Sequence, residues 1–335
     1  MTFGKSSPSA QSVGFIFTGQ GAQWAGMGAD LFAEFESYRR TIKSLDAVLS
    51  RVPEPPNWSI EAALLEPAKT SRVQEPELSQ PLCTALQIAL VDLLSSWNVK
   101  PLATVGHSSG EIVAAYAAGV HTAEEAIIMA YYRGKVLATH KTPGCMLAVG
   151  LGPNDLSSYL EPFQGKVVIA AVNSPNSVTL SGDQEAVASL KEAFDQEKIF
   201  ARLLQTGGKA YHSHHMAPLG ETYEKLTKRA VHKLSKEIAT GTKQSSALWV
   251  SSVDPSKTQT TESLSPAYWR KNLESPVLFS PAVEELARSP NVNIDLLIEI
   301  GPHAALAGPL RQIRAALDQK RWDQARSQPR QHYPR

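Results

Sequence analysis

An α/β fold with a small inserted subdomain is predicted for this chain of 335 residues. An apolar strand at 13–17 opens the pattern, and a second apolar run leads through the turn at 106–110 into an alanine-rich helix. Between 142 and 206 the order of elements becomes β, α, β, β, α, β, which is the split βαβ or ferredoxin-like arrangement. The segments 13–141 and 207–317 are therefore predicted to form one larger α/β core around this insert.

The composition is that of an ordinary soluble protein, with 42% hydrophobic and 19% charged residues. The net charge of +1 predicts no general attraction to nucleic acid or to anionic membranes. The two cysteines lie in apolar runs, which indicates buried thiols in a reducing compartment. No long apolar N-terminal segment and no run of about 20 apolar residues is visible, so a cytoplasmic location without a membrane span is expected.

The remaining elements follow from local pattern. Residues 1–12 are rich in Ser and Pro and are expected to be disordered. Residues 82–97 are apolar nearly all round, which predicts a buried helix. Residues 294–300 predict a buried strand, and the polar, Arg-rich residues 318–335 predict a solvated basic tail.

The turn at 106–110 has the form of a nucleophile elbow, with Gly106 and Gly110 flanking Ser108. Glycines allow a sharp turn and close packing, so the serine side chain is pushed outward. The hydroxyl then lies near the N-terminus of the following helix, where free N–H groups favour developing negative charge. A G-x-S-x-G string alone is weak evidence, but the strand-turn-helix context predicts that Ser108 is a nucleophile.

Two other features are ambiguous from local pattern alone. The glycine-rich loop at 18–23 lacks both the P-loop Lys-Ser/Thr pair and the spacing of a dinucleotide-binding loop. It either brings backbone N–H groups to a reaction centre or forms a plain tight turn. Arg133 lies among apolar and aromatic residues of the helix that starts at Thr122, and in isolation this indicates a surface arginine whose stem covers apolar area.

Three histidines, His212, His214 and His215, fall within four residues. A metal site is conceivable, but His214 and His215 are expected to point in different directions and no further ligand is evident. The sequence therefore predicts no metal site. One histidine acting as the base for Ser108 is the favoured interpretation.

Six motifs, taken together and in this order, resemble a known family. They are FTGQGAQW (17–24), QPLCTALQ (80–87), GHSSGE (106–111), YRG (132–134), AYHS (210–213) and EIGPH (299–303). The sequence is similar to the malonyl/acyl-CoA:acyl carrier protein transacylases, and most of all to the acyltransferase domain of fungal highly reducing polyketide synthases. The resemblance runs from about 13 to 310 and implies a hydrolase-like α/β core with a ferredoxin-like insert.

The resemblance also implies catalytic roles. Ser108 would carry the acyl group as an oxyester, and His212 would take up and return the protons. Backbone N–H groups of Gln20 and Ser109 would form the oxyanion hole. The family uses no triad carboxylate, and a backbone carbonyl near Asn272 would orient His212 instead.

Substrate choice is implied by two further residues. Arg133 would bind the free carboxylate of a malonyl group through both arms of its guanidinium. Tyr211 would form an aromatic wall that disfavours a methyl branch, so malonyl is expected over methylmalonyl. His107 and His303 are expected to make structural hydrogen bonds only, and no role is assigned to His214.

The implied reaction moves a malonyl group from CoA, through an acyl-serine, to the phosphopantetheine thiol of an acyl carrier protein in polyketide or fatty acid biosynthesis. The CoA thioester and the carrier protein are the expected partners, with no bound cofactor, no nucleic acid and no membrane. A serine hydrolase or esterase is the first alternative; it would need an acidic orienter and would have no use for Arg133. A truncated, non-catalytic docking remnant is the second. Whether the chain is free-standing, excised or truncated is left open.

Overall fold

The computed structural model describes residues 12–237, 247–257, 265–290 and 292–327. The strands in chain order are β1 (Val13–Phe17), β2 (Ala103–Gly106), β3 (Gly144–Val149), β4 (Val167–Ser174), β5 (Ser177–Asp183), β6 (Ala201–Leu203), β7 (Leu248–Val250) and β8 (Leu296–Ile300). The helices are α1 (Ala29–Glu34), α2 (Glu36–Leu49), α3 (Ile60–Leu65), α4 (Pro76–Ser96), α5 (Gly110–Ala117), α6 (Ala123–Thr139), α7 (Ser157–Leu160), α8 (Gln184–Gln196), α9 (Ala217–Glu237), α10 (Pro266–Glu274), α11 (Phe279–Arg288) and α12 (Ala307–Ser327). These elements confirm the predicted α/β class.

The core sheet is parallel throughout, with strand order β7-β2-β1-β8. Phe15, Ile16 and Phe17 are completely buried, as expected for a parallel strand covered on both faces. In the register of the sheet, Phe17 lies beside Gly106 on one side and Ile300 on the other. The loops that follow these three strands therefore meet at one edge of the sheet, the usual place for a ligand site in such folds.

The longest apolar helix, α4, lies between α2 and α6. By length and composition it is the one helix in the described part of the chain that could cross a membrane. Of its most apolar 18-residue stretch, 78% is buried inside the protein. Its apolar surface is thus accounted for by packing within the core.

The second sheet is antiparallel with order β4-β5-β3-β6, and its strands run between 144 and 203. If the four strands β3 to β6 are numbered 1 to 4, the order starting from β6 is 4-1-3-2. This is the ferredoxin-like topology predicted from the element order. Helix α8 covers one face through Leu190 and Phe194, which are buried. The first helix of the motif is reduced to α7 between two 3-10 turns.

Backbone hydrogen bonds join the insert to the core. The Val172 N–H donates to the Val277 carbonyl at 2.9 Å, and the Val277 N–H donates to the Ala170 carbonyl at 2.8 Å. Helix α12 packs against β4, where the Ser174 hydroxyl hydrogen-bonds the Gln312 side chain. The insert is therefore fixed to the core along β4.

The last strand differs from its prediction. Strand β8 begins at Leu296 rather than at residue 294, and Leu296 and Leu297 are 44% and 37% exposed. The reason is position: among the described strands β8 pairs only with β1, so it is an edge strand instead of a buried one. An apolar run alone does not distinguish these two cases.

The predicted terminal boundaries also need correction. Helix α12 continues past 318 to Ser327, because apolar residues at helical spacing, Leu310, Ile313 and Leu317, pack against the core and carry the helix across that point. At the other end, Ser12 is held by a hydrogen bond from its N–H to the Asp295 carboxylate at 3.0 Å. The rest of the segment predicted to be disordered, 1–11, and the end of the tail, 328–335, lie outside the described residues.

Candidate active site

The nucleophile elbow is formed as predicted, between β2 and α5. Ser108 has a φ of 55°, in the left-handed region that non-glycine residues rarely occupy. A Cβ on Gly106 would lie 2.2 Å from the Glu111 Cα, and one on Gly110 would lie 2.5 Å from the Thr18 carbonyl oxygen. Neither backbone neighbour can move aside, so both positions require glycine and the serine is held outward.

Of the three clustered histidines, His212 is the one that contacts Ser108. Its Nε2 lies 2.6 Å from the Ser108 Oγ, and its Nδ1 lies 2.9 Å from the Ser275 carbonyl oxygen. The carbonyl can only accept, so Nδ1 carries the proton and Nε2 presents a lone pair to the serine hydroxyl. This is the tautomer that a general base requires.

The pKa of His212 is lowered to about 3, first by burial and second by the positive charge of Arg133. Both causes disfavour the imidazolium form. The ring is therefore neutral at neutral pH and free to accept a proton from Ser108.

A backbone carbonyl near Asn272 orients His212, as the resemblance implied, but it belongs to Ser275 and not to Asn272 itself. Of the two backbone carbonyls near the His212 ring, that of Ser275 is the hydrogen-bond acceptor, and that of Asn272 makes the smaller contribution to its pKa. The Asn272 side chain instead accepts from Arg133 Nη1 at 2.8 Å and donates to the Ser108 carbonyl at 3.2 Å. The carbonyl that reaches the His212 ring is that of Ser275, directly after the end of α10. Spacing along the sequence does not reveal which carbonyl of this segment faces the ring.

Arg133 is buried, with 1% of its surface exposed, so the interpretation as a surface arginine is wrong. Its Nε has no hydrogen-bond partner, and it forms no ion pair with an acid of the described residues. Glu111 acts on it only through longer-range charge interaction. A buried guanidinium without a carboxylate partner is unfavourable unless a ligand supplies one.

The predicted oxyanion-hole residues are adjacent. The Gln20 N–H donates to the Ser109 Oγ at 3.2 Å, so the loop after β1 and the N-terminus of α5 are in contact beside Ser108. The Gln20 N–H is thus engaged by a hydroxyl that can rotate away when a stronger acceptor arrives. Its role as an oxyanion donor stays a prediction.

Tyr211 is buried, and its hydroxyl accepts from the Gln20 Nε2 at 3.1 Å. Burial raises its pKa to about 12, so the hydroxyl stays protonated. The Gln80 side chain amide in turn donates to the Gln20 side chain carbonyl. The aromatic ring is therefore held in place by a chain of amides.

Sequence reasoning assigned no role to two glutamines of the 80–87 motif. Gln80 supports Gln20, while the Gln87 Nε2 donates to the Thr18 carbonyl at 2.8 Å and to the Ile300 carbonyl at 3.0 Å. Both side chains are buried. The available signal was two amides seven residues apart, hence on one face, in an otherwise apolar helix.

Glu111, the last residue of the elbow motif, was also missed. Its buried carboxylate accepts from the Ser252 N–H at 3.1 Å and from the hydroxyls of Ser252 and Tyr268. Burial raises the pKa of this carboxyl group. Because Tyr268 belongs to α10, Glu111 ties the helix that carries Asn272 to the elbow.

The site residues line one cavity of about 820 Å³ between the core and the insert. Ser108, His212, Arg133, Gln20 and Tyr211 all contribute to its wall. The insert contributes apolar side chains on the opposite side, namely Met146, Phe200 and Leu203. Among its described lining residues the formal charges, on Arg133 and Arg202, are both positive, which favours an anionic ligand.

The other histidines have separate partners. The His107 Nε2 lies 2.8 Å from the Asn173 Oδ1 of the insert, and the His303 Nδ1 lies 2.8 Å from the Ala22 carbonyl. Both contacts are the structural hydrogen bonds predicted for them, although both rings also line the cavity. His214 and His215 do not point in different directions as expected, since both contact Asp183.

Comparison with known proteins decides the family. The model of the acyltransferase domain matches residues 14–330. The chain belongs to the acyltransferase domain family. Prosolanapyrone synthase of Alternaria solani is 48% identical over 311 residues, covering 91% of this chain and 12% of that protein. Highly reducing polyketide synthase xilA of Penicillium crustosum is 50% identical over 316 residues, covering 93% of this chain and 13% of that protein.

Solved structures agree with this acyltransferase assignment. A loading acyltransferase from the avermectin modular polyketide synthase has a TM-score of 0.80 and 27% identity, with 91% of this chain and 92% of that chain covered. Malonyl CoA-acyl carrier protein transacylase from Clostridium perfringens shares the fold, with a TM-score of 0.76, 23% identity and coverage of 94% and 98%.

The chain is therefore an acyltransferase domain of the polyketide synthase type, and it spans about an eighth of the length of its curated relatives.

Proposed function

We propose that this acyltransferase domain loads a malonyl group from malonyl-CoA onto Ser108 and passes it to the phosphopantetheine thiol of an acyl carrier protein. The observation that carries the proposal is Arg133, a buried guanidinium that pairs with no acid among the described residues and lines the same cavity as the Ser108–His212 pair. A diacid thioester would satisfy both, since its carboxylate pairs with the arginine while its carbonyl lies at the serine.

In the first half-reaction the Ser108 Oγ attacks the thioester carbonyl, and its proton passes to the His212 Nε2, 2.6 Å away. The negative charge that develops on the carbonyl oxygen is stabilised by the backbone N–H groups of Gln20 and Ser109, each worth about 3 kcal/mol in such sites. The carbon–sulfur bond then breaks, and the leaving thiolate takes the proton from His212. The product is malonyl-Ser108 and free CoA.

The second half-reaction reverses these steps with a different thiol. The phosphopantetheine thiol gives its proton to the His212 Nε2 and its sulfur attacks the malonyl ester. The ester bond breaks, and the Ser108 oxygen recovers the proton. No bound cofactor is needed, because the prosthetic thiol is carried by the partner.

Malonyl is favoured over methylmalonyl by Tyr211. Its ring borders the cavity and is held through Gln20, so space for a branch at the α carbon is limited. A pocket contact of this kind separates two substrates by about 1–3 kcal/mol.

The direct test is covalent. The protein is incubated with malonyl-CoA and then with a holo carrier protein, and intact masses of both are followed. We expect one malonyl mass on Ser108 that moves to the carrier thiol. Loading without any transfer to a thiol, or no loading, contradicts the proposal.

Arg133 is tested by a pair of acyl donors. Arg133→Ala should lower malonyl loading by about 10- to 100-fold, the value of a lost charge-assisted hydrogen bond, and leave acetyl loading nearly unchanged. Lys135→Ala, two residues further on the same helix and paired with the Glu54 carboxylate, is the matched control. An equal fall of both acyl groups in Arg133→Ala excludes the carboxylate contact.

The alternatives receive less support. A triad hydrolase would hold its histidine with an acid, whereas the acceptor at the His212 Nδ1 is a backbone carbonyl. A docking remnant would have no reason to keep a serine, a neutral histidine and a buried arginine around one cavity. The cytoplasmic location stays a prediction.

A further inference from the structure

A second cluster of polar side chains lies at the junction of the insert and the core. The Nε2 atoms of His214 and His215 lie 3.0 and 2.9 Å from the same oxygen of the Asp183 carboxylate. These three donor atoms all lie within 4.8 Å of one another. They belong to neither the Ser108–His212 pair nor the arginine contact.

The cluster unites two distant parts of the sequence. Asp183 is the last residue of β5 in the insert, while the histidines belong to the irregular turn that leads from His212 into α9. Consecutive side chains point to opposite sides only in an extended strand. In this turn they converge, which is why the expectation from the sequence was wrong.

We propose that Asp183, His214 and His215 form a binding site for a divalent first-row metal ion, with zinc the best match. Two imidazoles and a carboxylate are ligands that zinc accepts. At bonds of about 2.1 Å to a tetrahedral ion, ligand atoms lie about 3.4 Å apart. The separations of 2.9 and 3.0 Å reach that value with shifts of a few tenths of an ångström, and the third separation, between the two histidine nitrogens, is at most 4.8 Å.

The fourth position would be filled by water. The side chains of Asp183 and His214 are 44% and 42% exposed, so the site opens to solvent and an ion can enter. His215 is buried and supplies the fixed side of the site. This arrangement of three protein ligands and an open position is common for zinc in proteins.

A further histidine supports the orientation of the buried ligand. The His140 Nε2 lies 3.3 Å from the His215 Nδ1, on the ring nitrogen that faces away from Asp183. Metal-binding histidines usually have such a partner on their second nitrogen, which fixes the tautomer and the ring. The ion would thus link β5 of the insert to the turn that carries the catalytic base.

The test is metal binding by the full chain, independent of acyl transfer. The purified, chelator-treated protein competes with a chromophoric chelator for Zn²⁺, and the midpoint of thermal unfolding is recorded with and without the ion. We expect one high-affinity Zn²⁺ per chain and a midpoint that rises with Zn²⁺ concentration. Absence of saturable binding overturns the proposal.

Variants separate a metal site from a simple ion pair. Asp183→Asn keeps an oxygen that can accept from the histidines but removes the charge, so Zn²⁺ binding should be lost while the metal-free midpoint stays close to that of the parent. His140→Ala should weaken binding by about 10- to 100-fold. His232→Ala, an exposed histidine on α9, is the control and should bind as the parent does.

If Asp183→Asn does not fold, Zn²⁺ binding is measured in His214→Gln, which changes the exposed histidine ligand and should lose the site. Retained stoichiometric binding in His214→Gln, or equal loss in His232→Ala, would show that Zn²⁺ binds elsewhere and overturn the site.

Discussion

The core and the insert build opposite walls of one cavity by different means. The core provides Ser108, His212 and Arg133, which are held by elbow geometry, by a backbone carbonyl and by a buried amide. The insert provides apolar side chains such as Phe200, which is 62% exposed. The groups proposed to react are thus fixed by backbone structure that tolerates little change, whereas the insert lines the rest of the cavity with apolar side chains.

A left-handed backbone conformation, with positive φ, occurs both in the candidate site and at helix ends. Ser108 and His212 have φ values of 55° and 58° within the site, at a cost of about 1–2 kcal/mol each. Lys198 of the insert has a φ of 60°, but it follows the end of α8, where a left-handed residue is an ordinary way to end a helix. The torsion is therefore strained at the two site residues, whereas at Lys198, as at Asn98 after α4 in the core, it only ends a helix.

The largest expected effect is loss of the nucleophile. Ser108→Ala should abolish the malonyl adduct and lower transfer by about 10⁴-fold or more, because no other group can form the acyl ester. Ser177→Ala, a serine of the insert on the same cavity, should change transfer little. Intact mass and a transfer assay measure both variants. A loss of transfer in Ser177→Ala comparable to that in Ser108→Ala would show that the core and the insert do not differ in this respect.

The next largest effect concerns stability. Gly106→Ala should destabilise the fold by more than about 4 kcal/mol, because the new Cβ meets backbone at 2.2 Å. Gly150→Ala in the insert meets the Phe200 Cβ at 3.2 Å, so the neighbouring backbone has to give by only a few tenths of an ångström and the cost should be about 1 kcal/mol. Unfolding in urea gives both free energies.

Asn272 is expected to have an intermediate effect. Asn272→Ala removes the contacts to Arg133 and to the Ser108 carbonyl, so malonyl loading should fall about 10-fold or more while acetyl loading falls less. Steady-state loading rates with the two acyl-CoA donors provide the measurement. If acetyl loading falls by the same factor, Asn272 acts on the elbow alone and the arginine is held by other contacts.

A smaller change is expected at Tyr211, the residue proposed to separate malonyl from methylmalonyl groups. Tyr211→Ser should raise methylmalonyl loading relative to malonyl by about 1–3 kcal/mol, as room for a methyl branch appears. Competition between the two CoA thioesters measures the ratio directly. An unchanged ratio would assign selectivity to another part of the cavity.

The smallest effect is predicted for the insert. Phe200→Ala should raise the KM for the acyl donor about two- to fivefold and leave kcat unchanged, because the ring lines the cavity from the insert and is 62% exposed to solvent. Steady-state kinetics give both constants. A fall in kcat instead would mean that the insert takes part in the chemical step.

Much of this site was predictable because its signals are local. The elbow, the motif around His212 and the alternation of elements in the insert each lie within a short stretch of chain, and they led to the Ser108–His212 pair and to the fold. What escaped prediction depends on distant contacts. Burial of Arg133 follows from packing against α10, and the acceptor for His212 follows from where α10 ends.

The same distinction explains the errors at the surface. Strand β8 is an edge strand because of its place in the sheet, which no property of residues 294–300 encodes. His214 and His215 meet a carboxylate about thirty positions earlier in the chain, and only the turn geometry makes them converge.

Two backbone hydrogen bonds join β4 of the insert to Val277 of the core and resist separation of the two parts. To widen the cleft, the Val172 and Val277 amides would both have to give up their acceptors. A hinge motion along this seam would therefore break two backbone hydrogen bonds. For the malonyl transfer proposed above, a larger acyl group is then accommodated at lower cost by smaller side chains on the cavity wall than by moving the insert away from the core.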